Sequence, residues 1–261
     1  MDPEVDVSNC REALLMNSDE TIRQEKEYVE EEGSLGFADR VLSVFIAPRE
    51  VCRSLMKRPE WLRALVVVAV VIGITAILVT QENATFTRDM MNQAGRVELT
   101  EEQLARMSEV STRAYVTRGL GGVFWSVVQA LLFSLVLFLC GKGLGAKAKF
   151  KQVFSIVAYS GLIGALGAVV MAAVVKLTGT FPVETSLGVL AGDSYWSLTR
   201  VALSNFEIFW VWQLAFLTLG LAVVEGFSMG KAVFTTVVLF LLRLAVLLGI
   251  TAATRGILGI A

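Results

Sequence analysis

The chain has 261 residues, 55% of them hydrophobic, and a formal net charge of −1; its mean hydropathy is +0.65. No soluble core of this size hides that much apolar surface, so lipid must cover much of it. Histidine is absent and the three cysteines, Cys10, Cys52 and Cys140, are far apart, which excludes imidazole acid–base work, the usual zinc sites and CxxC redox chemistry.

The small net charge conceals two unlike parts. Residues 1–33 hold eleven acidic and three basic side chains, a balance of −8, whereas the remainder carries 20 basic and 13 acidic ones, a balance of +7. So acidic a segment with few large apolar groups cannot bury enough area to offset chain entropy, and a largely disordered cytoplasmic tail is expected, either solvated or serving as a docking arm. No basic stretch followed by an apolar run begins the chain, so no cleavable signal peptide is expected.

Residues 34–59 form the next unit. Phe37, Val41, Val44 and Phe45 recur at helical spacing after Ser34, a candidate N-cap, and a second stretch from Pro48 sets Val51, Cys52, Leu55 and Met56 on one arc. Arg49, Arg53 and Lys57 fall on the opposite arc, with Arg58 following. This describes amphipathic interfacial helices, either lying among anionic headgroups or packing their apolar stripe on the protein's own helices. Cys52 and Cys140 read as small buried hydrophobes or as lipidation sites.

Residues 60–261 carry five apolar segments, about 62–80, 120–140, 153–175, 201–224 and 232–253. Each is near the ~20 residues a helix needs to cross the hydrocarbon, and none alternates with period two. The fold class is therefore all-α: a polytopic membrane protein with five transmembrane helices. Pro59 marks the expected start of the first span and Trp61 an interfacial anchor. An extramembrane loop at 81–118 contains a candidate short helix from Glu101 to Val116, with Thr100 and Gln103 at capping-box spacing.

Cations set the orientation. Arg49, Arg53, Lys57, Arg58 and Arg63 crowd the entry to the first span, and Lys142, Lys147, Lys149 and Lys151 fill the loop between the second and third. Both regions are expected in the cytoplasm, with the N-terminus inside and Ala261 outside. In the third span Ser160, Gly164 and Ala168 stand four apart with Gly161 and Ala165 beside them, the pattern of a close helix-packing face. Glu207 in the fourth span and Arg243 near the middle of the fifth are a candidate intramembrane charge pair.

The basic loop and third span, Gly141 to Ser160, resemble the central signature of the Yip family, the membrane domain named for Ypt/Rab-interacting proteins. Phe209 to Leu214, Leu219 to Ala232, Ala47-Pro48 and Arg58-Pro59 are similar to that family's other landmarks, so that the resemblance covers about residues 37–252. It implies five spans, a cytoplasmic N-terminus and no enzymatic chemistry. Eukaryotic relatives bind Rab-type GTPases in vesicle traffic, while some prokaryotic ones act beside export transporters; the short charged tail and long first loop look like the prokaryotic members. Gly161 stands where many relatives have a proline, which removes one expected cause of a kink in the third span.

The function expected is thus a non-enzymatic membrane scaffold or adaptor that binds anionic lipid headgroups and partner membrane proteins, with homo-oligomers left open. The alternative is a small-solute or lipid transporter in which Glu207, Arg243, Gln129, Tyr159 and Gln213 line a path. No cofactor, metal or nucleic-acid partner is expected. The membrane would be the plasma or inner membrane in a prokaryote, or the ER and Golgi in a eukaryote.

Overall fold

The computed structural model describes residues 35–93, 110–179, 181, 183, 185–191 and 197–258. The chain divides into a short unit, Met1–Arg40, and a main body, Val41–Ala261. In the first, only residues 35–40 are described, and they lead into a helix; the expected Ser34 cap and the acidic tail lie outside the described residues.

Helices make up the fold, with one isolated antiparallel bridge between Ser186 and Glu207 among the described residues. In chain order they are α1 (Phe37–Ile46), α2 (Pro48–Lys57), α3 (Leu62–Leu78), α4 (Thr80–Gln93), α5 (Thr112–Gly143), α6 (Phe150–Thr178), α7 (Leu198–Ser204), α8 (Ile208–Val224) and α9 (Met229–Leu258). A 3-10 turn, Leu187–Ala191, precedes α7. Among the described residues three helices, α5, α6 and α9, are long and apolar enough to cross a membrane, or four if the bent pair α3 and α4 is one span; α8 is apolar but shorter, at 17 residues.

The amphipathic entry folds as the periodicity demands. Pro48 opens α2 where its missing N–H costs nothing, and Val51, Cys52 and Leu55 are fully buried. That apolar face of α2 packs on α8 and α6. Burial also pushes the Cys52 thiol up to about 12, so it behaves as a small hydrophobe.

Helix α6 is the axis of the body. It touches α2, α3, α5 and α8, and 67% of its most apolar stretch is buried, against 17% for α5 and for α9. Its surroundings are therefore protein, while α5 and α9 present most of their surface outward. Gly179, in the left-handed region at φ 68°, ends it by taking the Val175 carbonyl.

The first span departs from expectation. The segment expected from 62 to 80 starts at Leu62 rather than at Pro59 and stops at Leu78, after which α4 leaves at 60° and carries helix to Gln93. The Thr75 hydroxyl donates to the Val71 and Ile72 carbonyls at 3.0 Å each, and the Thr80 hydroxyl to Ala76 at 2.8 Å. Such back-bonding competes with the helical ladder and bends it.

Residues 101–109 of the expected loop helix lie outside the described residues, and the helix that begins at Thr112 runs on without a break to Gly143. The fourth span is split: α7 and α8 are separated at Asn205 to Glu207, where the expectation was one helix over 201–224. Asn205 turns its amide back onto the Val201 carbonyl at 2.8 Å, and Glu207 restarts the helix as a cap. The third and fifth segments lie inside the longer helices α6 and α9.

Candidate functional site

Two places gather polar chemistry. The first is the end of the body where α2 meets the α5–α6 loop. In that loop Ala146 and Ala148 are buried while Lys147 and Lys149 are exposed, so successive side chains alternate between anchor and cation. Gly145, at φ 87°, supplies the left-handed turn that only glycine adopts without strain. The Lys142 ammonium donates to the Ala146 carbonyl at 3.3 Å and lies 5.2 Å from the Phe138 ring, and Lys231 donates to the Leu144 carbonyl at 3.4 Å.

Gln152 joins loop to helix. Its carbonyl accepts from the Lys149 amide at 2.9 Å and its NH2 donates to the Met56 carbonyl at 2.9 Å, across 96 residues of sequence. The exposed Arg49, Arg53, Lys57 and Arg58 thereby stand at the same end as the exposed Lys142, Lys147, Lys149 and Lys151. Near them sits Glu225, which the sequence places at the cytoplasmic end, too far from Arg243 to pair with it. Glu225 closes the C-terminus of α8, and its carboxylate lies where a Cβ on Gly141 would be. Neither oxygen has a hydrogen-bond partner. Burial pushes this carboxyl up to about 7, opposed by the attraction of Lys142.

The second place is a half-open cavity of about 310 Å³ in the body, bounded by α3, α5, α6, α8 and α9. Leu65, Val68 and Ile72 give it an apolar wall; Gln129, Gln213, Glu207 and Arg243 give it polar corners. Trp210 precedes Val224 by as many residues as Arg243 follows Met229, roughly 21 Å along each antiparallel helix, so the two stand level. The Arg243 guanidinium lies over the Trp210 ring, 4.3 Å from its centroid.

Glu207 and Arg243 share this cavity without an ion pair. The carboxylate is occupied elsewhere: Oε1 accepts from the Phe209 amide at 3.1 Å and the Thr185 hydroxyl at 3.3 Å, and Oε2 from the Trp210 amide at 2.7 Å. It satisfies the first turn of α8 and sits at the positive end of the helix. Nη1 of Arg243 and Nε1 of Trp210 are both buried without an acceptor. An unsatisfied buried donor costs ~1–3 kcal/mol, and a cation at mid-helix ~2.5–3.5 kcal/mol on insertion scales, so the arrangement is expensive.

The small residues of α6 divide into two roles. Ser160, fully buried, donates to the Val157 carbonyl at 2.7 Å and accepts from Gln213 at 3.2 Å. A Cβ on Gly161 would meet Val68 of α3 at 3.2 Å, and one on Gly167 would meet the Phe209 ring at 2.7 Å. Gly164 is less constrained, since its added Cβ would lie 3.4 Å from Gln213 Oε1, and Gly164, Ala165 and Ala168 all border the cavity. A further close approach escaped the sequence reading: Gly73 of α3 faces Gly119 and Gly122 of α5, where added Cβ atoms would meet backbone or branched side chains. Its signal is a Gly-x-x-Gly at 119–122 opposite a lone glycine, too short to register as a repeating stripe.

These features define a multi-pass helical membrane protein with a basic end and a half-open cavity that has polar corners. The chain belongs to the Yip1 domain family, whose model matches residues 42–251. A curated relative is the "Membrane protein YknW" of Bacillus subtilis (strain 168), 26% identical over 204 residues, which cover 77% of this chain and 84% of the relative. That relative is bacterial, in keeping with the prokaryotic branch. No solved structure matches the chain.

Proposed function

We propose that the protein is a non-enzymatic scaffold that crosses the membrane five times and docks partner membrane proteins and acidic lipid on a cytoplasmic basic end. The observation that carries this reading is the convergence of two separate cation clusters through Gln152 and Met56. The apolar face of α2 is spent on packing, so its cations act from a fixed platform rather than from a helix that dips in and out of lipid. Each cation near an anionic leaflet contributes ~1 kcal/mol of attraction.

On this reading the five spans are α3, α5, α6, α8 with α7, and α9. The 17 residues of α3 and of α8 reach roughly 25 Å, the short end of what a bilayer core accepts. The lysine loop then lies in the cytoplasm and the end of α9 outside.

The test is crosslinking in native membranes followed by recovery of the full chain, compared with an Arg53→Glu, Lys57→Glu, Lys149→Glu variant. Recovery of a defined membrane-protein partner and retention of acidic phospholipid should both fall severalfold in the variant. Unchanged recovery and unchanged lipid retention would remove the docking reading.

A second reading, movement of a solute or lipid through the bundle, is favoured by one observation: a half-open cavity with polar corners lies between α3, α5, α6, α8 and α9. Vesicle flux that survives charge reversal on α2 and fails on substitution of Arg243 would select it over docking.

A further inference from the structure

Two donors in the α6–α8–α9 cavity have nothing to bond. Trp210 is 5% exposed, Arg243 lies over its ring, and both residues line the same cavity, their Nε1 and Nη1 buried without an acceptor. The carboxylate that might have answered them is committed to two backbone amides and the Thr185 hydroxyl. No hydrogen bond joins Glu207 to the guanidinium among the described residues.

The space suits more than water. Its volume of about 310 Å³ is twice the ~150 Å³ of an apolar protein cavity that takes up benzene. Leu65, Val68 and Ile72 give its lining an aliphatic part, and Trp210, Arg243, Gln129 and Gln213 give it polar groups. A guanidinium presents N–H groups to oxyanions more strongly than to neutral acceptors, and an indole N–H beside it adds a second fixed donor. The ligand that answers this chemistry has an oxyanion head and an apolar stem. The bilayer that bathes α5 and α9, the two outward-facing helices, is its nearest source.

We propose that this cavity is a binding site for the carboxylate or phosphate head of an acyl-chain amphiphile, held by Arg243 Nη1 and Trp210 Nε1. The site is separate from the basic end and stands whether or not that end docks partners. It deepens the second reading by naming the ligand class, and binding without movement of the ligand would preserve the site while removing transport.

The full-length chain in a neutral maltoside detergent is titrated with decanoate and decyl phosphate, and, as controls, with decyltrimethylammonium, decanol, acetate and inorganic phosphate. Calorimetry and melting temperature are the readouts. Decanoate and decyl phosphate should saturate and raise Tm; Arg243→Gln should weaken both at least tenfold, and Trp210→Phe, which keeps the ring and removes the N–H, severalfold. Arg255→Gln, on the same helix outside the cavity, should change nothing, as should Arg53→Glu with Lys57→Glu. Equal affinity in wild type, Arg243→Gln and Trp210→Phe would overturn the site, as would saturation by the ammonium amphiphile at the same concentration. Acetate or inorganic phosphate binding as tightly as the decyl compounds would overturn the amphiphile in favour of a free anion. Should Arg243→Gln fail to fold, Trp210→Phe alone decides.

Discussion

The guanidinium of Arg243 lies over the indole of Trp210, 4.3 Å from the ring centroid, while the carboxylate of Glu207 one turn away caps the helix that carries the indole. Among the described residues the arginine is held by an aromatic face and not by an anion. A buried ion pair broken on one side typically costs ~3–5 kcal/mol, because a charge is stranded. Glu207 keeps its own partners, so among the described residues no charge is stranded when Arg243 leaves. Arg243→Met is therefore expected to keep or raise the Tm of the purified protein, with the thioether on the same ring. Coupling between Arg243→Met and Glu207→Gln in a double-mutant cycle should stay below ~0.5 kcal/mol. A loss of several kcal/mol on Arg243→Met, recovered in the double variant, would restore the helix-locking pair that sequence spacing suggests.

Glu207 has its own test. As the N-cap of α8 it should cost ~1 kcal/mol when changed to Ala, and much less as Glu207→Asp, which keeps an acceptor at the cap. The measurement is thermal unfolding in detergent. Equal losses for both substitutions would show that the cap is not what Glu207 contributes.

Packing around α6 separates glycines that look alike in the sequence. A Cβ on Gly220 would run into Ile156, whereas Gly121 has nothing within 4 Å. Gly220→Ala should destabilise by ~1–3 kcal/mol through overpacking. Gly121→Ala should be neutral or stabilising, since alanine is the better helix former by ~1 kcal/mol. Ile156→Val is expected to recover part of the Gly220→Ala loss. If both glycine variants melt together, the close approach of α6 and α8 is not as described.

Much of this was legible in the sequence, and the reasons for the remainder are local. Hydrophobic length located the interiors of α5, α6 and α9, because lipid imposes one dominant constraint on such segments. The same averaging hid the break at Asn205 to Glu207, since a window of twenty residues tolerates one polar turn. It also hid the bend at Val79, set by threonine hydroxyls bonding backward. Arg243 was visible as a cation in a span, but Trp210 carried no distinguishing mark among five tryptophans until two helices were aligned. Glu225 read as a cytoplasmic flank; its burial depends on Gly141, which lies 84 positions earlier.

Glu225 makes stability depend on pH. Its carboxyl is raised from an ordinary 4.5 to about 7, so between those values the folded protein retains a proton that the unfolded chain has released. Stability contributed by this group is therefore full below about 4.5 and declines as pH rises towards about 7. Glu225→Gln should melt higher than wild type at pH 8, with the difference vanishing below pH 4.5. A variant that is less stable than wild type at pH 8 would mean the carboxylate is ionised and paired with Lys142.

The most direct test of the central claim, that five spans set the lysine loop in the cytoplasm as a docking end, is labelling of single cysteines in intact cells. Cys10, Cys52 and Cys140 are replaced by serine, and Lys147→Cys or Arg255→Cys is introduced singly. An impermeant maleimide should label Arg255→Cys and leave Lys147→Cys untouched until the membrane is opened. Labelling of Lys147→Cys in intact cells would contradict the topology and the docking role built on it.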